Sequence, residues 1–124
     1  MGKSILIVED EKVSCLFLSH CVTDMGHQVA GTATTGEEAI EKAGTLGPSL
    51  VIMDVGLKGE MSGAQVADII YRRHRIPILF ISAYTHEEIC RTNTLPEVFD
   101  YLPKPIDGGQ LEQKIAAIFD RKGE

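Results

Sequence analysis

Glu9, Asp10, Asp54 and Lys104 are the residues of this 124-residue chain whose types and places could do chemistry together. Each comes at or just after the end of an apolar run. Ile5-Leu6-Ile7-Val8 precedes Glu9 and Asp10, Leu50-Val51-Ile52-Met53 precedes Asp54, and Val98-Phe99-Asp100-Tyr101-Leu102 stands just before Lys104. The parallel strands of an open α/β sheet all end on one edge, where ligands bind. If these runs are such strands, residues dozens of positions apart converge in one pocket. Three carboxylates there repel one another by roughly 4 kcal/mol per pair at about 4 Å and an effective dielectric of about 20. One lysine cannot neutralise them, so the cluster calls for a divalent cation. Magnesium suits it, because Mg²⁺ takes a few carboxylates together with waters and phosphate oxygens; Mn²⁺ is the substitute expected at the same oxygens. A carboxylate beside such an ion can attack phosphorus to give an acyl phosphate. The transferred group then needs positive charge and hydrogen-bond donors on its oxygens. Lys104 and the hydroxyl of Ser82, at the end of Ile78-Leu79-Phe80-Ile81, stand where they could supply both. Taken by itself, Asp54 has three open roles: helix cap, metal ligand or nucleophile.

The elements that must position these residues are legible as alternating patterns. Ser4 to Val8, Gln28 to Ala33, Leu50 to Met53, Ile78 to Ile81 and Val98 to Leu102 read as strands, and the first, third and fourth are nearly continuous in apolar residues, as strands buried on both faces are. Four helix starts carry a short polar residue with Glu or Gln three places on: Thr35 with Glu38, Ser62 with Gln65, Thr85 with Glu88, and Asp107 with Gln110. Apolar stripes follow at Ile40, Ala43 and Gly44, at Val66, Ile69 and Ile70, and at Leu111, Ile115 and Ile118. A first helix from about Val13 to Met25 ends at Gly26, a natural left-handed cap. The pattern predicts five β-α units in one doubly wound parallel sheet with five helices and right-handed crossovers. A single domain over residues 1–124 is expected, with no repeats, low-complexity stretches or linkers.

Composition narrows the function. With 12 Lys and Arg against 18 Asp and Glu, the net charge is -6, the wrong sign for clustered contacts to a phosphate backbone, so no direct nucleic-acid partner is expected. No apolar run approaches the ~20 residues that span a bilayer, and Met1-Gly2-Lys3-Ser4 leads straight into a strand without a signal peptide. Leu6 stands where a myristoylation signal would need Ser or Thr. A cytoplasmic protein without a membrane partner is expected. Cys15, Cys21 and Cys90 have no metal-binding spacing and read as thiols in a reducing compartment; His20 and His27 near Cys21 do not make a zinc motif.

In Ile5-Leu6-Ile7-Val8-Glu9-Asp10-Glu11, Val51-Ile52-Met53-Asp54, Ile81-Ser82-Ala83 and Tyr101-Leu102-Pro103-Lys104-Pro105, taken in this order, the chain resembles the receiver domains of two-component response regulators over essentially its whole length. The resemblance implies a flavodoxin-like sheet of order 2-1-3-4-5. It implies Asp54 as phosphoacceptor, Glu9 and Asp10 as the acidic pair that binds Mg²⁺ with Asp10 the more direct ligand, and the carbonyl of Gly56 as a backbone ligand. It further implies Ser82 as the switch hydroxyl, Lys104 as the phosphate-pairing lysine, Tyr101 as an aromatic that changes rotamer on activation, and a cis Lys104-Pro105 bond. The positions that flank the path of attacking water in receivers are Gly56 and Tyr84 here, so these two are expected to set the lifetime of the phosphoryl group. The implied partners are a histidine kinase or histidine phosphotransfer protein as donor, and a downstream protein target or a second copy of the chain as recipient of the signal. Such a domain catalyses its own phosphorylation and dephosphorylation and is not a turnover enzyme.

The blander readings are a half-buried strand aromatic for Tyr101, a strand-end cap for Ser82 and a plain turn glycine for Gly56. The chain departs from the family pattern in Val55-Gly56-Leu57-Lys58-Gly59-Glu60-Met61-Ser62-Gly63, with Lys58 where proline is common and Ser62 where an acid is frequent, and in Thr92-Asn93-Thr94-Leu95-Pro96-Glu97, where Pro96 disfavours helix at Leu95 and predicts a short fourth helix. An aspartate-nucleophile phosphatase would need a second acid where Gly56 stands. A flavin- or nucleotide-binding module would want a phosphate cradle after the first strand, where Glu9-Asp10-Glu11 repels phosphate. A binding module that is never phosphorylated would not need the full set of chemical residues.

Overall fold

In the computed structural model, which describes residues 2–55, 61–82 and 100–122, strands and helices alternate as β1 (Ser4–Val8), α1 (Lys12–Asp24), β2 (Gln28–Ala33), α2 (Gly36–Leu46), β3 (Leu50–Asp54), α3 (Gly63–His74), β4 (Ile78–Ser82), β5 (Asp100–Pro103) and α4 (Gly108–Lys122). The helix expected after Thr85, with its Thr85 and Glu88 start signal, lies outside the described residues, as do Val98 and Phe99 of the expected fifth strand. The strands form one parallel sheet in the order β2-β1-β3-β4-β5, the flavodoxin-like order.

Period-two alternation along the central strands divides the core into two layers. Leu6, Val8, Val51, Met53, Ile78 and Phe80 face Ala39 and Ala43 of α2 and Val66, Ala67 and Ile70 of α3. Ile5, Ile7, Leu50, Ile52, Leu79 and Ile81 face Leu18 and Val22 of α1 and Leu111, Ile115 and Ile118 of α4. Helices thus cover both faces, and this is why β1, β3 and β4 are apolar without interruption. The helix stripes shift by a residue from expectation: Ala39 and Ala43 take the inward positions of α2, with Ile40 beside them, and Ala67 displaces Ile69 to a half-buried place on α3.

Helix ends follow the expected chemistry. Ser62 and Gln65 close a full capping box on α3, and the Asp107 carboxylate accepts from the backbone N–H of Gly109 and Gln110. The Thr35 hydroxyl accepts from Glu38 N–H, while the Glu38 carboxylate accepts from Thr34 rather than Thr35. Helix α1 begins at Lys12, a residue earlier than its apolar pattern predicts. Gly26 follows its end with a φ of 87°, a left-handed conformation that glycine adopts freely.

Candidate phosphoryl-transfer and metal site

Strand register brings the chemical residues to one edge. Val8 pairs with Met53, Asp54 with Ile81, and Ser82 with Pro103, so Glu9, Asp54, Ser82 and Lys104 end or follow four adjacent strands. Backbone bonds across the edge hold them there. Glu9 N–H donates to Ala33 carbonyl at 2.9 Å, Val55 N–H to Ile81 carbonyl at 3.0 Å, and Lys104 N–H to Ser82 carbonyl at 2.7 Å. The Lys104-Pro105 bond is cis, as the resemblance implied. Behind Asp54 there is no room: a Cβ on Gly63 would stand 2.6 Å from the Asp54 carbonyl oxygen and 2.8 Å from Val55 Cα. Glycine at the first turn of α3 therefore lets that helix close onto the end of β3.

The site is a set of carboxylates around one ammonium. Lys104 Nζ lies 3.4 Å from both oxygens of Glu9, 3.4 Å from Asp54 Oδ2 and 3.5 Å from Glu11 Oε1. The Glu9 side chain is fully buried and that of Asp54 is 7% exposed, whereas Glu11 is 68% exposed. Burial raises the Glu9 carboxyl and the neighbouring Asp54 carboxylate raises it further, to about 7, against the opposing pull of Lys104 and of the Glu11 backbone N–H. Burial lowers Lys104, but Asp54 and Glu9 outweigh it, so the ammonium is held above its ordinary value. A proton shared into this cluster, or an added cation, relieves the same repulsion.

The donor set fits a hard cation. One oxygen from each of Glu9, Asp10 and Asp54 lies within 4.8 Å of the others, and among the described residues this is the one group of acids, histidines and cysteines so placed. Asp10 Oδ2 is buried with no hydrogen-bond partner, an arrangement that costs about 1–3 kcal/mol unless something satisfies it. Oxygen ligands of this kind suit Mg²⁺ or Mn²⁺ rather than zinc, and the cluster can hold a metal ion. His27, set aside as a metal ligand from its spacing, has a structural job: its Nδ1 accepts from Lys3 N–H at 3.0 Å, and its ring meets Phe119 edge-on at 5.1 Å.

Of the residues expected at the site, Glu9, Asp10, Asp54 and Lys104 are brought together. Ser82, buried at the end of β4, stands one strand over from Asp54. Tyr101 lies further back in β5, opposite Phe80 and half-buried against the α2–α3 side of the core. Gly56 and Tyr84 lie outside the described residues. Two features escaped the sequence reading. Glu11 joins the Lys104 cluster from 93 positions away, where no local pattern signals the contact. Helix α1 also carries a second apolar stripe facing away from the sheet: Val13 and Leu16 are 81% and 70% exposed, Phe17 is partly so, and a cleft of about 570 Å³ runs from Val13 and Phe17 to Lys104, Pro105 and Ile106. The signal was present as apolar residues at i, i+3 and i+4, out of phase with Leu18 and Val22.

Comparison with known proteins agrees with this fold. The family model described as response regulator receiver domain matches residues 5–116. The chain is 30% identical over 116 residues to the chemotaxis protein CheY of Thermotoga maritima, covering 93% of this chain and 96% of that protein. It is 31% identical over 121 residues to the transcriptional regulatory protein AfsQ1 of Streptomyces coelicolor, covering 98% of this chain and 52% of that one, so it spans about half the length of that regulator. The crystal structure of the signal receiver domain of a modulated diguanylate cyclase from Desulfovibrio desulfuricans G20 superposes with a TM-score of 0.90 at 28% identity, covering 99% of this chain and 98% of that one.

Proposed function

Because the chain belongs to the response regulator receiver family, we propose that it is a phosphorylation-controlled switch, with Asp54 taking a phosphoryl group from the phosphohistidine of a histidine kinase or phosphotransfer protein. The observation that carries this reading is the Lys104 ammonium 3.4 Å from Asp54 Oδ2 at a sheet edge crowded with carboxylates. An Asp54 oxygen attacks phosphorus while the bond from phosphorus to the donor imidazole nitrogen breaks. The electron pair stays on that nitrogen, which takes a proton from solvent, and Asp54 becomes an acyl phosphate. Lys104 and Ser82 lie at neighbouring strand ends, and in this reading the ammonium and the hydroxyl meet the phosphoryl oxygens as charge spreads over them. Glu9, Asp10 and Asp54 would hold Mg²⁺, or Mn²⁺, with the Gly56 carbonyl. Bound there, the ion supplies positive charge to the transferring group and offsets the carboxylate repulsion. Hydrolysis by water at phosphorus returns the Asp54 carboxylate and releases inorganic phosphate. The cycle makes the chain a self-modifying switch and not a turnover enzyme.

The switch reading uses Ser82 and Tyr101: once a phosphoryl group sits on Asp54, the Ser82 hydroxyl moves to it and Tyr101 changes rotamer in β5. The apolar stripe of Val13, Leu16 and Phe17, reaching Lys104 through the cleft, favours a protein donor over a small molecule, because a surface of that kind is covered by a partner. The signal passes to a downstream protein or a second copy of the chain. The acidic net charge speaks against direct nucleic-acid contact, and among the described residues no helix is long and apolar enough to cross a membrane; a cytoplasmic setting suits both. The test is phosphotransfer from radiolabelled candidate kinases to wild type and Asp54→Asn. Transfer to wild type alone supports the reading, and equal transfer to both moves the acceptor elsewhere.

A further inference from the structure

We infer that Glu11 is a positioning residue for Lys104: an exposed carboxylate that shares the ammonium with Asp54 and Glu9 and so limits how readily Asp54 is phosphorylated. The inference rests on the proposed role of Asp54.

Glu11 occupies the N-cap of α1, where Ser, Thr, Asp or Asn normally supplies a side-chain oxygen to the first turn. Its side chain makes no such bond and is directed instead to Lys104, with Oε1 3.5 Å from Nζ. Its main chain is tied to the same site, since Glu11 N–H donates to Glu9 Oε1 at 3.2 Å. A helix start has thus been given a residue poor at capping whose carboxylate serves the cluster.

An ammonium has three N–H donors, and Lys104 has three carboxylate partners in reach: Glu9, Asp54 and Glu11. When a phosphoryl group arrives at Asp54, Lys104 must turn donors toward its oxygens. Glu9 is buried and cannot be replaced by water, and Asp54 is the group being modified. Glu11, the most exposed and most distant partner, is the one that yields. Until it does, it competes for the ammonium and adds negative charge beside an anionic donor. Both effects slow phosphorylation, and removing the carboxylate should reverse both.

Glu11→Gln keeps the size of the side chain and leaves α1 without loss of a cap. Labelling of Asp54 by acetyl phosphate with Mg²⁺ should be about two- to fivefold faster than in wild type, the range expected of one exposed ion pair, and the gain should shrink as salt is added. Asp24→Asn, at the opposite end of α1, removes the same charge away from the site and should leave the rate unchanged. The Lys104 side-chain ¹⁵N signal should shift in Glu11→Gln without donor or metal, a change that a merely structural role for Glu11 would not produce. An unchanged or slower rate in Glu11→Gln, an equal gain in Asp24→Asn, or an unmoved Lys104 signal overturns the inference. If wild type itself takes no label, the role of Asp54 fails instead, and the Lys104 signal still decides whether Glu11 holds the ammonium.

Discussion

Replacing Glu9 with glutamine separates the two forces that set the resting charge of the site, burial and the pull of Lys104. The Glu9 carboxyl rises from 4.5 to about 7, burial first and Asp54 second, despite Lys104 at 3.4 Å. In a folded protein with a raised carboxyl, the native state binds more protons than the unfolded chain between the two values. Stability is then full below about pH 4.5 and lost as pH rises through about 7. At about 1.36 kcal/mol per pH unit the upper bound is about 3 kcal/mol, and the expectation is on the order of 1–3 kcal/mol. Glu9→Gln imitates the protonated form, so in chelator it should match wild type near about pH 4 and exceed it by that amount near about pH 8. Urea denaturation of both proteins at each pH measures this, and melting should differ by about 4 °C per kcal/mol. The Glu38 carboxyl, held low by its bonds to Thr34 and Lys42, contributes the opposite slope but cancels between the two proteins. Mg²⁺ should shrink the difference by neutralising the ionised site. A difference that stays flat with pH refutes the reasoning, and one of opposite sign means that Lys104, not burial, dominates.

Mg²⁺ at ten times its dissociation constant should stabilise the unmodified protein by roughly 1.4 kcal/mol, read as a melting shift, and Asp10→Asn should lose that gain because it removes the buried, unpartnered oxygen. Gly63→Ala should cost about 1–3 kcal/mol in denaturant, as a Cβ pressed against the Asp54 carbonyl forces α3 away from β3; stability equal to wild type would mean that the backbone yields freely there. Lys104→Ala should slow labelling by acetyl phosphate about tenfold or more, since the ammonium supplies charge to the phosphoryl oxygens, and should let the Glu9 carboxyl rise further, since the ammonium pulls it down; full-rate labelling would remove it from the chemistry.

The strand ends were readable because two-sided burial writes continuous apolar runs, and a charged residue immediately after such a run can only sit at an edge. That logic placed Glu9, Asp10, Asp54 and Lys104 together, and the 2-1-3-4-5 order followed from the family resemblance. Contacts set by close approach were not readable. Gly63 registered only as the residue after a capping serine, and its real constraint, the Asp54 carbonyl 2.6 Å from where a Cβ would be, depends on how α3 meets β3. The expected start of α1 at about Val13 falls one residue late, and the tie of its N-cap Glu11 to Lys104 spans 93 positions of sequence and has no local signature. The outward stripe of Val13, Leu16 and Phe17 was masked by the inward one of Leu18 and Val22, for periodicity registers a helix more readily than it counts its faces.

The most direct test of the central claim is chemical trapping of the phosphorylated residue. Wild type is incubated with Mg²⁺ and acetyl phosphate, reduced with borohydride so that an acyl phosphate becomes the corresponding alcohol, and digested for mass spectrometry. Homoserine at position 54, dependent on both Mg²⁺ and donor, is the result this account predicts. Homoserine at another aspartate, or none at position 54 while the protein carries label, contradicts it.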